Sequence, residues 1–143
     1  TALIEIYQNC DIFNDGAFEP LKNSDTRDDV TIRLEHDQKL IFGSILDRCV
    51  VMGANGALEV AKVADVKDED IVVHDAHNAD PSYAFALTRL SHPENLQDTP
   101  IGVFRDVKRA TYESGFYAQL EKAEKTPGDL AALLAGKDTW EVR

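Results

Sequence analysis

The sequence predicts an α+β fold: one opening β-strand, then β-hairpins, then two or three helices gathered late in the chain. Three observations carry that expectation. An apolar run of Ala2, Leu3, Ile4, Ile6 and Tyr7 rises into Cys10 and breaks at once into the turn formers Asn14-Asp15-Gly16. Between residues 30 and 73 the apolar residues fall in short β-rich runs separated by polar or Gly-containing links. From Asp80 onward, residues that start helices precede apolar positions at helical spacing.

Taken in order, the first run reads as a buried strand that delivers the Cys10 thiol to its C-terminal edge, where ligands bind in open α/β sheets. A strand apolar on both faces needs neighbours. With no initiating Met and no partner strand ahead of it, the run is expected to belong to a longer polypeptide whose upstream core is missing. Residues 19–29 are charged and polar, with Pro20 near the start, and read as an exposed loop. Val30, Ile32 and Leu34 alternate with Thr31, Arg33 and Glu35, the period-two mark of a half-buried strand. Residues 36–39 link it to Leu40-Ile41-Phe42, and the two runs read as a first hairpin. A second hairpin joins residues 49–52 to 58–63 through the turn Gly53-Ala54-Asn55-Gly56. Ile71-Val72-Val73 is a further short β run that ends at His74.

Asp80-Pro81-Ser82 opens the first helix, because Asp or Ser accepts free amide hydrogens there and Pro fits the first turn. Tyr83, Leu87 and Leu90 share one face with Ala86 between them, and Pro93 forbids continuation. Ile101-Gly102-Val103-Phe104 reads as a strand. Thr111 caps a helix with Tyr112, Phe116, Leu120 and Ala123 on one stripe and Gly115 as its weak point, closed by Thr126-Pro127-Gly128. Asp129 caps a short last helix that Gly136 ends. Trp140 is expected to pack the tail down.

A chain of 143 residues with 43% apolar content is large enough for a core of its own. Its 15 basic residues against 26 acidic ones give a formal charge of −11, which repels nucleic-acid phosphates and anionic membranes. Nucleic acid and membrane are therefore excluded as expected partners. No run approaches the ~18 apolar residues of a membrane span, and no signal-like segment is present, so a cytoplasmic location is expected. Cys10 and Cys49 make neither a disulfide framework nor a zinc site by themselves, and reduced thiols fit best.

Three separated blocks resemble one family. EIYQNCDIFNDGAF (5–18), TPIGVFRDVKRATYE (99–113) and GDLAALLAGKDTWEV (128–142) are similar, in that order, to the β subunit of 2-oxoacid:ferredoxin oxidoreductases, the 2-oxoglutarate type above all. The intervening LEHDQKLIFG and VVHDAHNADPSYAFALTRL extend the resemblance over nearly the whole chain; Ala110, where the family often has Pro, and Ser114-Gly115-Phe116 depart from it. The resemblance implies the C-terminal part of an α/β subunit that binds thiamine diphosphate. Residues 1–18 would end the thiamine-diphosphate-binding domain, and 19–143 would form the C-terminal domain. It implies an intact enzyme holding thiamine diphosphate, Mg²⁺ and a [4Fe–4S] cluster, which decarboxylates a 2-oxoacid oxidatively, passes electrons to ferredoxin and gives the acyl group to CoA, in company with an α subunit. By the same resemblance Cys10 is the fourth cluster ligand. Gly-Asp-Gly and CxxC are absent from these residues, so no cofactor and no activity are expected of this segment alone, and bare apolar faces are expected to drive self-association.

The chemistry-bearing alternative is His74-Asp75-Ala76-His77, two imidazoles around a carboxylate that could bind zinc or manganese in a small metal-dependent hydrolase, given a third ligand such as His36 or His92. Such strings also arise wherever a strand ends in a turn. A non-catalytic oligomerisation module is the third reading. Gly53–Gly56 lacks the length and the Lys-Ser/Thr of a phosphate-binding loop, and Arg105, Lys108 and Arg109 form a solvated or intersubunit basic patch.

Overall fold

A computed structural model describes residues 2–92, 94, 96–137 and 140. The chain divides into two compact units, Thr1–Val107 and Lys108–Arg143.

In the first unit the elements run α1 (Glu19–Lys22), α2 (Arg27–Val30), β1 (Thr31–Leu34), β2 (Ile41–Phe42), β3 (Arg48–Met52), β4 (Leu58–Lys62), α3 (Pro81–Thr88) and β5 (Thr99–Gly102), with single 3₁₀ turns at Val63–Asp65 and Asp68–Asp70. Mixed helices with parallel and antiparallel strands make the unit α+β, as expected. The strands β2, β3 and β4 form an antiparallel meander in which Met52 faces Leu58 across the Gly53–Gly56 turn, so the second hairpin forms where the sequence places it. Residues 71–73 extend this sheet through single bridges to Lys39 and Val51.

The first hairpin joins differently. Strand β1 pairs in parallel with β5, Thr31 opposite Thr99 and Leu34 opposite Gly102, while Ile41 and Phe42 pair with β3. Burial goes with that pairing: Thr31, Ile32 and Leu34 are buried and Arg33 is the one exposed residue of the strand. At the end of this pair a side chain on Gly102 (φ +137) would come within 2.5 Å of the Leu34 carbonyl oxygen, so glycine permits the close approach. The strand expected at residues 101–104 begins two residues earlier. The loop expected over 19–29 contains the two short helices α1 and α2, anchored by buried Leu21 and Val30.

Ile32, Leu34, Leu40, Phe42, Val50, Leu58, Leu87 and Leu90 form the core, with Tyr83, Ala86 and Phe104 packed against it. Helix α3 contributes through its cap and its inner face: Asp80 accepts from the Ser82 amide at 2.9 Å, Pro81 opens the first turn, and Leu87 is buried, as is Leu90 just past the helix end at Thr88. Each such side chain contributes roughly 1.5–3 kcal/mol by leaving water. Pro93, expected to stop this helix, lies outside the described residues. Part-buried Arg48 ties several elements together: its guanidinium reaches Asp98 at 3.0 Å, donates to the Asp29 carbonyl and lies over the Phe42 ring at 4.7 Å. Arg105, placed by sequence in a basic patch, donates to the carbonyls of Asn78 and Ala79.

The opening strand is not formed. Among the described residues, 2–9 join neither sheet, and Leu3 (96% exposed), Ile4 and Ile6 face solvent. A strand exists only as a paired edge, and neither sheet accepts this run.

The second unit holds α4 (Tyr112–Glu124) and α5 (Leu130–Ala135). Thr111 accepts from the Ser114 amide, Asp129 accepts from the Ala131 amide, and Gly136 (φ +73) ends α5, all as the sequence predicts. The α4 stripe forms too, with Tyr112 and Phe116 ring centroids 6.4 Å apart, but it remains largely exposed. Trp140 is 84% exposed, so the expected anchor is not made.

Candidate functional site

Cys10 sits on a loop that closes back on itself. Tyr7 and Phe18 stack at its two ends with ring centroids 5.0 Å apart and planes 15° from parallel. The Asn14 amide donates to the Cys10 carbonyl at 2.8 Å, and Gly16 takes φ +74 to let the chain return. Asn9 bonds across the loop: its amide nitrogen donates to Asp11 at 2.5 Å and Asp15 at 2.9 Å, and its oxygen accepts from the Gly16 amide at 2.9 Å. The thiol is exposed, and the backbone amides of Phe13 and Ile12 hold its pKa below the ordinary value. Ile12 and Phe13 themselves face outward beside it. A half-open groove of about 660 Å³ runs between this loop and β5, with Tyr7, Asn9, Phe18, Leu21, Ile101 and Phe104 on its walls.

The arrangement offers one exposed thiol with backbone amides beside it that favour its anionic form. That is the donor a soft metal centre takes from a protein, and one thiolate is a quarter of what a four-iron cluster needs. Cys49 cannot add a second. It is fully buried in β3, its thiol contacts the Ala61 carbonyl at 3.7 Å, and burial raises its pKa.

His74, Asp75 and His77 do not come together as a metal site. The His74 ring is fully buried, with Nε2 donating to the Val103 carbonyl at 2.8 Å and Nδ1 paired with the Tyr83 hydroxyl at 3.0 Å. Both nitrogens are committed, so this imidazole has no lone pair to give a cation. Asp75 accepts from the His77 amide at 2.9 Å, a turn bond, and His77 Nδ1 donates to the Asp106 carbonyl at 2.7 Å. His36 lies against His77 with ring centroids 4.2 Å apart, while His92 stands near Asp98. Among the described residues no three His, Cys, Asp or Glu side chains could hold a metal ion. The hydrolase alternative is thereby overturned: His74 pins α3 and the segment after β5 to the core.

Sequence reasoning singled out Cys10 and passed over Asn9. The signal was present in the spacing, an amide beside the cysteine with carboxylates at Asp11 and Asp15 and a glycine between loop and helix. No described helix is long and apolar enough to cross a membrane.

No protein-family model matches this chain, and no solved structure matches it. It is 46% identical over 145 residues to the 2-oxoglutarate oxidoreductase subunit KorB of Mycobacterium tuberculosis, an alignment that takes in 99% of this chain. The chain spans 38% of the length of that relative. Nearly half of all positions are shared along practically the whole length of this chain, which is therefore similar to a part of that 2-oxoglutarate oxidoreductase subunit.

Proposed function

We propose that this chain is the C-terminal part of a 2-oxoacid:ferredoxin oxidoreductase β subunit, and that Cys10 is its contribution to the redox centre, as fourth ligand of a [4Fe–4S] cluster. The observation that carries this reading is the exposed Cys10 sulfur faced by the Phe13 and Ile12 amides, in a chain 46% identical to a 2-oxoglutarate oxidoreductase subunit. Exposure leaves the sulfur free to bond outward, and amide dipoles favour the thiolate, which is the ligating form. Bound there, a cluster supplies one-electron transfer. Its other thiolates come from elsewhere in the intact subunit, since Cys49 is buried and committed.

The residues present do not fit thiamine diphosphate. The diphosphate needs Mg²⁺ held by oxygen ligands in a Gly-Asp-Gly setting, and these 143 residues contain no such sequence. The intact enzyme is proposed to act on 2-oxoglutarate in the cytoplasm, with CoA as acyl acceptor, ferredoxin as electron acceptor and an α subunit as partner. The boundary between thiamine-binding and C-terminal domains falls at residues 18 and 19 in this reading. The segment alone is inactive and self-associates through Leu3, Ile4, Ile6 and the α4 stripe, which are exposed.

Two measurements test this. In the full-length subunit assembled with its partner, Cys10→Ser is expected to lower iron per subunit and alter the electron paramagnetic resonance spectrum of the reduced enzyme; unchanged iron and spectrum would overturn the ligand assignment. Turnover of 2-oxoglutarate with CoA and ferredoxin by the purified 143-residue chain would refute the inactive segment.

A further inference from the structure

We propose that the turn between β2 and β3 is a docking knob, whose Ile45 and Leu46 seat in an apolar pocket edged by basic side chains on a different chain of the assembly, the α subunit. This docking rests on the reading of the chain as one subunit of a 2-oxoacid:ferredoxin oxidoreductase, and adds the surface by which its partner is met.

The two turns of the meander differ where they would be expected to agree. Each is five residues long, Gly43-Ser44-Ile45-Leu46-Asp47 between β2 and β3 and Gly53-Ala54-Asn55-Gly56-Ala57 between β3 and β4. In each, the amide of the fourth residue donates to the carbonyl of the first at 3.0 Å, and the fourth residue takes a left-handed backbone. In the second turn that residue is Gly56 (φ +73), preceded by small or polar Ala54 and Asn55, as such a turn favours. In the first it is Leu46 at φ +55, where the Cβ of an L residue crowds the following carbonyl. Leu46 is 64% exposed and Ile45 beside it 78%. The turn therefore carries a backbone cost and holds two large aliphatic side chains in water, and neither feature serves the core. A strained backbone that displays apolar surface points to an interaction site. The loop is also held in place: the Ser44 amide donates to the Asp29 carboxylate at 2.8 Å, and the Asp47 carbonyl accepts from the Val63 amide at 2.9 Å. Little loop entropy is left to lose on docking.

Charge points to the partner. Asp47 is exposed and Asp29 partly so, while the neighbouring Arg48 guanidinium is committed to Asp98 and the Asp29 carbonyl. The turn thus presents apolar and negative surface, on a chain of formal charge −11. A second copy is a poor match, since its groove of about 660 Å³ is edged by Glu5, Asp15 and Glu19, with Lys22 the one cation among the described residues lining it. A basic-edged apolar pocket on a different chain complements both parts of the knob.

The test uses the full-length subunit coexpressed with its α subunit, read by the dissociation constant of the pair, its salt dependence, Tm, and hydrogen exchange of residues 44–47 in the free and the paired subunit. Ile45→Ser combined with Leu46→Gly is expected to weaken the pair about tenfold or more, since two buried aliphatic side chains are lost from the contact. Tm is expected to stay within about 4 °C of the parent or above it, because glycine relieves the left-handed backbone while it loosens the unfolded chain. A purely structural turn would give the reverse, a lower Tm with unchanged pairing. Exchange at 44–47 should slow about tenfold on pairing, and Asp47→Asn should flatten the salt dependence. A parent-like dissociation constant in the double variant overturns the proposal. So does protection of 44–47 already in the free subunit, which would mean that its own chain covers the turn, or a dimer of the free subunit that the double variant loses, which would assign the knob to a second copy. If the full-length subunit pairs with no α subunit, the oxidoreductase reading fails and takes the docking with it; pairing that the double variant leaves intact sinks the docking alone. Should the double variant fold poorly, Leu46→Asn, which tolerates the same φ, decides by the same readings.

Discussion

His74 and Cys10 lie in the same unit, and each is a side chain able to bind metal, yet their surroundings are opposite. The His74 ring is fully buried, and the Val103 carbonyl and Tyr83 hydroxyl occupy both nitrogens. The Cys10 thiol is exposed, and what faces it are amide N–H groups, which stabilise its anion without consuming its bonding direction. A ligand atom is available to chemistry only when no internal partner already uses it, and burial of a polar ring demands such partners. His74, for all the imidazole and carboxylate groups beside it in the sequence, is therefore the inert one.

The sharpest way to break this contrast is to delete the buried ring. His74→Ala is expected to cost about 3 kcal/mol of stability, because it opens a cavity and strands the Tyr83 hydroxyl and the Val103 carbonyl. Denaturant midpoints check this, and zinc uptake indistinguishable between parent and variant would agree with a structural ring; stability unchanged within about 0.5 kcal/mol would not.

Next comes the contrast between the thiols. Native-state alkylation at neutral pH is expected to modify Cys10 at least ~100-fold faster than Cys49, since one is exposed with a lowered pKa and the other is buried in β3 with a raised one. Site-resolved mass spectrometry reads the rates, and comparable rates would mean that the sheet does not protect Cys49.

Smaller is the effect of an exposed cap. Thr111→Ala should lower the stability of α4 by about 1 kcal/mol, seen as reduced helicity at elevated temperature. The smallest effect is pH-dependent. The Ser82 amide and hydroxyl hold the Asp80 carboxyl below its usual pKa, so its capping contribution is full above the ordinary carboxylate value of about 4 and fades as pH falls through the lowered folded value. The stability gap between parent and Asp80→Asn should accordingly be largest near neutrality and shrink in acid; a gap that widens in acid would reverse the assigned sign.

Local chemistry was legible wherever a few neighbouring residues decide the outcome. The caps at Asp80, Thr111 and Asp129 and the Gly53–Gly56 turn depend on side chains within a few positions of the amides they serve. The Cys10 loop was half legible, since Asn14-Asp15-Gly16 announced a turn while the Asn9 hydrogen bonds across it did not stand out. Pairing was not legible. Thr31–Leu34 could close on the next run or on Thr99–Gly102 with the same alternation, and only the buried Thr31 distinguishes the two. The run at 2–9 shows the converse, β-forming residues with no edge to join.

What the order of residues determined by itself was the α+β character, the helix ends, the second hairpin and the turn after Cys10, because each follows from contacts between near neighbours. Only the tertiary structure decided that β1 runs beside β5, that His74 spends both nitrogens inside and that Cys10 stays free. Strand partners, burial and leftover lone pairs depend on what lies across space from a residue, and the covalent sequence around it carries no record of that.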